Sequence, residues 1–111
     1  MLHSERLQTF VALGEFLRSA DAQPELDEIA QRAYHKNNWF TPINSQKALR
    51  AIADQFLTTD KLTTWANQYA TEPATPKTVG VVMAGNIPAV GFHDLLCVLM
   101  SGHKLLAKLS T

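Results

Sequence analysis

Gly85, Asn86 and Lys108 are the residues in this chain whose types could serve a nucleotide or an acyl group. A glycine leaves the backbone bare, so a ligand can approach it closely. An asparagine amide can donate to an oxygen on which negative charge develops. A lysine near the end of a strand can reach a ribose or phosphate oxygen. Taken singly, the Gly-Asn pair is equally a turn, and the lysine equally a solvated charge. His93 and Asp94 are adjacent acid–base types, but neighbours on a helix point about 100° apart and do not aim easily at one atom. Asp94 therefore reads as a complement to the helix dipole, and His93 as a local packing or hydrogen-bonding group. Cys97, the single cysteine, stands mid-helix between Leu96 and Val98. A thiol there is a small buried hydrophobe with a raised pKa and poor access, not a nucleophile. Gly80, Gly85 and Gly91 spell neither the dinucleotide fingerprint nor a phosphate-binding loop. His3, His35 and His103 show no metal-ligand spacing with Cys97 or with one another, so no metal site is expected.

The elements that must position these residues follow from periodicity. Residues 79–83 are apolar and rich in β-branched valine, as in a strand buried on both faces. Residues 85–88, Gly-Asn-Ile-Pro, are the turn. Residues 89–101 read as a helix with Phe92, Leu95, Leu96, Leu99 and Met100 toward a core, and Gly102 is its natural C-terminal cap. Residues 103–109 form the second strand. Strand, helix, strand implies a parallel pair joined by a right-handed crossover. A turn of this kind points backbone N–H groups at whatever lies above the sheet edge, and open α/β sheets bind ligands outside the carboxyl ends of their strands.

Upstream, residues 1–70 read as about four helices. Ser4 is the expected cap of the first, which carries Leu7, Phe10, Val11 and Leu17. Pro24 suits the first turn of the second, whose face holds Leu26, Ile29, Ala30, Ala33 and Tyr34. Asn44 or Ser45 is the expected cap of the third, with Leu49, Ile52, Ala53, Phe56 and Leu57. Thr59 is the expected cap of a shorter fourth, with Leu62, Trp65, Ala66 and Tyr69. These one-sided apolar stripes read as core. Residues 71–78, with two prolines, are an extended connector to residues 79–111.

Composition narrows the function classes. Of 111 residues, 46% are hydrophobic and 18% charged, a globular balance. Ten basic residues offset ten acidic ones, so no basic footprint points to nucleic acid. No secretory signal or membrane span is legible, and a lone cysteine fits a reducing, cytoplasmic compartment.

Two phrases together resemble a known family. V-G-V-V-M-A-G-N-I-P at residues 79–88 and S-G-H-K-L-L-A-K-L-S at residues 101–110 are similar to the start of the coenzyme domain of the aldehyde dehydrogenase superfamily. M-A-G-N-I-P-x-V-G-F-H-D, with S-G-H-K after the helix, most resembles the acyl-CoA reductase branch, which includes the subunits supplying fatty aldehyde to bacterial luciferase. N-N-W-F-T and the later L-x-x-W also look similar to the N-terminal part of such proteins. The resemblance implies an α/β fold in which the helical segment precedes the first βαβ unit of a Rossmann-like parallel sheet. It implies NADP(H) as coenzyme and an acyl-CoA or other acyl thioester as substrate. Met83, Ala84 and Gly85 would lie along the coenzyme, and Asn86 would help form the oxyanion hole. Lys108 would contact the adenosine ribose, with Ser110 and Thr111 completing the coenzyme-binding strand end. Thr111 stands where many NAD-dependent relatives carry a glutamate, and its lack of charge favours NADPH. Leu109 departs from the family's proline. The family's nucleophile is a cysteine much farther along a longer chain, which Cys97 does not match.

The expectation is therefore an N-terminal portion of a fatty acyl-CoA reductase, inactive by itself and self-associating through exposed strands or helices. Two alternatives are a stand-alone helical interaction module and a non-catalytic nucleotide-binding module.

Overall fold

The computed structural model describes residues 2–69, 72–85 and 88–109. Among them are five helices and one two-stranded parallel sheet, a mixed α/β arrangement. The elements are α1 (His3–Arg18), α2 (Gln23–Lys36), α3 (Pro42–Phe56), α4 (Thr59–Ala66), β1 (Thr78–Val82), α5 (Phe92–Met100) and β2 (Lys104–Lys108).

The helices lie where the apolar stripes place them, but three caps differ from expectation. Ser4 falls inside α1. An extended Leu2 caps the helix two residues earlier, and its N–H is held by Glu5 Oε1 at 2.9 Å. A glutamate three residues after the cap returns a side chain to that N–H, which serine at position 4 cannot do. Thr41, not Asn44 or Ser45, caps α3: its Oγ1 accepts from the Asn44 N–H at 3.3 Å, and Pro42 takes the first helical position. Thr58, not Thr59, caps α4, accepting from Lys61 N–H at 3.4 Å. At α3 and α4 the preferred β-branched hydroxyl sits in extended backbone one or more residues before the expected cap.

One core joins the helical segment to α5. Phe10, Val11 and Leu17 of α1 meet Leu26, Ile52, Ala53, Leu57, Leu62 and Ala66, together with Leu96 and Met100 of α5. The Phe10 and Phe92 rings cross edge-to-face with centroids 6.4 Å apart. Ile29, Tyr34 and Tyr69 do not join this core; they are exposed, and Trp39 in the α2–α3 turn is 87% exposed. The α2 stripe is narrower than periodicity implies, because only Leu26 and Ala30 are buried, on the side that packs on α3.

β1 and β2 pair in parallel with Thr78 opposite Lys104 and Val82 opposite Lys108. The strands are not buried on both faces. Exposure alternates along β1, and Val82 and Leu106 are 85% and 66% exposed. Helix α5 covers one face, and no described element covers the other.

The connector is tied down. The Glu72 carboxylate accepts from Arg6 Nη2 at 3.0 Å and from the His3 backbone N–H. Pro73 packs on Gly102 so closely that a Cβ at Gly102 would lie 2.7 Å from Pro73 Cδ.

Candidate functional site

The carboxyl ends of β1 and β2 and the start of α5 come together at one edge. Met83 N–H donates to the Lys108 carbonyl at 2.9 Å, carrying the ladder one residue past the end of β1. Strand alternation places the side chains of Val79, Val81 and Met83 on the α5 face. Thr78, Gly80 and Val82, with Lys104, Leu106 and Lys108 beside them, take the other face. The Met83 and Lys108 backbones are therefore adjacent, while their side chains point to opposite sides.

Met83 packs under the start of α5. A Cβ on Gly91 would lie 2.6 Å from Met83 Cγ and 2.7 Å from Sδ, so only glycine leaves room for this thioether. Gly91 carries no coenzyme fingerprint; its role is to stand just before the apolar helix and admit Met83. The helix begins later than expected, at Phe92, because Ala89 adopts φ 56, outside helical backbone. A left-handed alanine costs about 1–2 kcal/mol relative to glycine's freedom there. The Gly91 cap makes no side-chain bond, and Asp94 lies in the first turn. Its carboxylate already complements the helix dipole.

Gly102 closes the other end of α5. It takes φ 89, and the N–H groups of Gly102 and His103 donate to the Leu99 and Val98 carbonyls at 3.1 and 3.3 Å. This is the paired C-terminal bonding that a left-handed glycine permits. His103 Nδ1 then accepts from the Lys77 N–H at 3.0 Å, fixing the entry to β2 against the entry to β1.

Lys108 is exposed and its Nζ donates to the Leu109 carbonyl at 2.9 Å. Ala84 is exposed, and Met83 and Gly85 are half-buried. Asn86, Ser110 and Thr111 lie outside the described residues. The strand terminus thus presents an ammonium bonded to a carbonyl, beside the exposed backbone of Ala84. A phosphate is not drawn to the α5 start, where Asp94 sits.

Cys97 is half-buried, less enclosed than expected. Burial pushes its thiol above the usual 9.0, and the Asp94 carboxylate adds to the shift. Its Sγ is 4.0 Å from His93 Nδ1, and the His93 ring sits 5.4 Å from that of Phe56. The pair is a packed thiol and imidazole, not a thiolate pair. Cys97 also lines a cavity of about 340 Å³ with His3, Trp65, Tyr69 and Met100. That cavity lies between α1, α4 and α5, and no residue of the strand-end edge lines it.

Among the described residues no group of three or more His, Cys, Asp or Glu is placed to hold a metal ion, and no helix is long and apolar enough to cross a membrane. No protein-family profile, curated protein or solved structure matches the chain.

Proposed function

We propose that this chain supplies the opening strand–turn–helix–strand of a Rossmann-like coenzyme sheet in an NADPH-dependent acyl-CoA reductase. The observation that carries this reading is the parallel β1–β2 pair with a connecting helix. It brings the Met83–Gly85 backbone and Lys108 to one carboxyl edge, where open α/β sheets take nucleotides.

When bound, NADPH supplies the hydride that reduces the acyl thioester. The residues of this chain bind and orient. Lys108 Nζ exchanges the Leu109 carbonyl for ribose oxygens. Met83, Ala84 and Gly85 offer backbone along the coenzyme. Asn86 donates its amide to the thioester oxygen as charge develops. Ser110 and the uncharged Thr111 tolerate a 2′-phosphate. The thiol nucleophile comes from outside residues 1–111, because the Cys97 thiol is held protonated by burial and by Asp94.

The test is an acyl-CoA reduction assay on the protein as encoded, with each coenzyme in turn. The reading requires NADPH-dependent aldehyde formation, with Asn86→Ala lowering kcat by about a hundredfold. Aldehyde formation that proceeds equally well with NADH sinks the coenzyme preference. Full activity in the Asn86 variant sinks the oxyanion role, and absence of NADPH-dependent aldehyde formation sinks the whole assignment.

A further inference from the structure

The α2–α3 turn holds an apolar pair in water. Trp39 is 87% exposed and Ile43 is 74% exposed. The turn that carries them is built, not slack. The Trp39 N–H donates to Asn37 Oδ1 at 3.0 Å, and the Phe40 N–H donates to the Asn37 carbonyl at 2.9 Å. An asparagine that closes its own turn in this way fixes the backbone of the residues after it. Thr41 then caps α3, so the backbone between Trp39 and Ile43 is tied down on both sides. An indole held outward keeps a large apolar area in water, which burial against another surface would remove.

The charge around this pair has one sign. From Ile29 to Ala53 the chain carries Arg32, Lys36, Lys47 and Arg50, with His35, and no aspartate or glutamate. Ile43, Lys47 and Arg50 recur at i, i+4 and i+7 on one face of α3, and all three are exposed. Lys47 and Arg50 lie about 6 and 10 Å along the axis from Ile43. Lys36 ends α2 just before the turn and is exposed, as is Arg32 one turn earlier. Among the described residues none of these four cations forms a salt bridge. Two carboxylates border the patch. Asp27 accepts from Gln46 Nε2, and Asp54 continues the α3 face about 16 Å from Ile43.

We propose that this turn docks on an anionic lipid surface, with Trp39 and Ile43 at the headgroup–acyl boundary and Lys36, Lys47 and Arg50 against the lipid phosphates and carboxylates. A tryptophan suits that boundary because its ring is apolar and its N–H is polar. Burial of about 5–10 Å takes in the two apolar side chains. The cations then stand within about 10 Å of the charged surface, where screening is incomplete. A second copy of the patch is disfavoured, since it would set four cations against four. Nucleic acid is disfavoured because Ile43 offers no ring to a base, and the chain as a whole has no basic excess.

The test presents the whole protein with vesicles of phosphatidylcholine alone and of phosphatidylcholine with phosphatidylserine. Co-sedimentation is expected with the phosphatidylserine vesicles and not with the neutral ones. Tryptophan emission is expected to shift to the blue on binding and to be quenched by lipids brominated on the acyl chain. Trp39→Phe, which keeps Trp65, is expected to lose both spectral changes. Lys36→Gln combined with Lys47→Gln is expected to weaken binding about thirtyfold. These side chains are exposed, so the variants should keep the wild-type circular dichroism. The proposal is overturned if neither vesicle binds, if both bind equally, or if the spectral changes survive Trp39→Phe. It is also overturned if a single-stranded oligonucleotide binds at the patch and the vesicles do not. If iodide in vesicle-free solution quenches wild type no more than Trp39→Phe, the protein itself covers the indole, and the proposal fails. It does not rest on the coenzyme reading, since none of these residues belongs to the strand-end edge.

Discussion

The Arg6–Glu72 pair ties the connector to α1, and its chemistry gives a pH signature. The Arg6 hydrogen bond holds the Glu72 carboxyl below its ordinary 4.5, with the His3 N–H helping and partial burial opposing. A carboxyl depressed in the folded state stabilises above its unfolded pKa and loses that contribution as pH falls through the folded value. Urea midpoints of Glu72→Gln should therefore lie below those of wild type at neutral pH and converge with them below about pH 4.5. A gap that persists unchanged in acid would remove Glu72 as its source. Cys97 gives a second signature. Its raised pKa predicts iodoacetamide labelling slower than that of a free thiol at neutral pH, accelerating only above about pH 9.0. Fast labelling at neutral pH would contradict the assignment of this thiol as packing. At this scale the sequence was legible where chemistry is local. A cysteine between Leu96 and Val98 reads as a non-nucleophile without coordinates. Glu72 pairing with Arg6 did not read at all, because partners 66 positions apart leave no spacing signal.

Glycines and caps decide the elements. Gly102 combines φ 89 with a 2.7 Å approach of Pro73 to the position a Cβ would take. Gly102→Ala should destabilise by about 2 kcal/mol or more in thermal or urea unfolding. Gly14, inside α1, poses opposing effects. Alanine would gain about 1 kcal/mol of helix propensity, but its Cβ would lie 2.6 Å from the Leu57 carbonyl oxygen and 2.7 Å from Leu57 Cβ. Backbone at that distance cannot swing aside, and overpacking costs about 1–3 kcal/mol. Gly14→Ala should therefore be net destabilising; a raised Tm would show that α1 and the end of α3 can separate. Ala89→Gly runs the other way. Relief of about 1–2 kcal/mol of left-handed strain exceeds the roughly 0.5–1 kcal/mol of added chain entropy, so this variant should be slightly more stable. The seven elements and the parallel pairing were legible from apolar period and the proline-containing connector. The three caps and the α5 start were not. Several adjacent hydroxyl and amide residues compete at each boundary, and local backbone, not composition, selects among them.

Over the whole molecule, two features pull apart. The core is continuous from α1 to α5, so the helical segment braces the βαβ unit from one side. The radius of gyration is 15.0 Å, against about 13 Å for a compact chain of this length. The excess belongs with a sheet of two strands, which presents Val82 and Leu106 to solvent and is too small to form a layered fold by itself. The sequence implied strands covered on both faces, because continuous valine and leucine runs carry that pattern; only the α5 side is covered here. The candidate site was legible in part. The Met83 and Lys108 backbones meet at one edge, but the opposite facing of their side chains depends on register, which no residue type announces.

The central claim, that the carboxyl edge of β1 and β2 meets a coenzyme through Lys108 and the Met83–Gly85 backbone, is tested most directly by NMR titration of the chain with NADPH. The account predicts weak binding, about millimolar because most of a coenzyme site lies elsewhere. Amide shifts should be confined to residues 83–85 and 108–109, and Lys108→Ala should lose them. Shifts centred on the α1–α4–α5 cavity, or shifts at residues 83–85 that Lys108→Ala leaves intact, would contradict it.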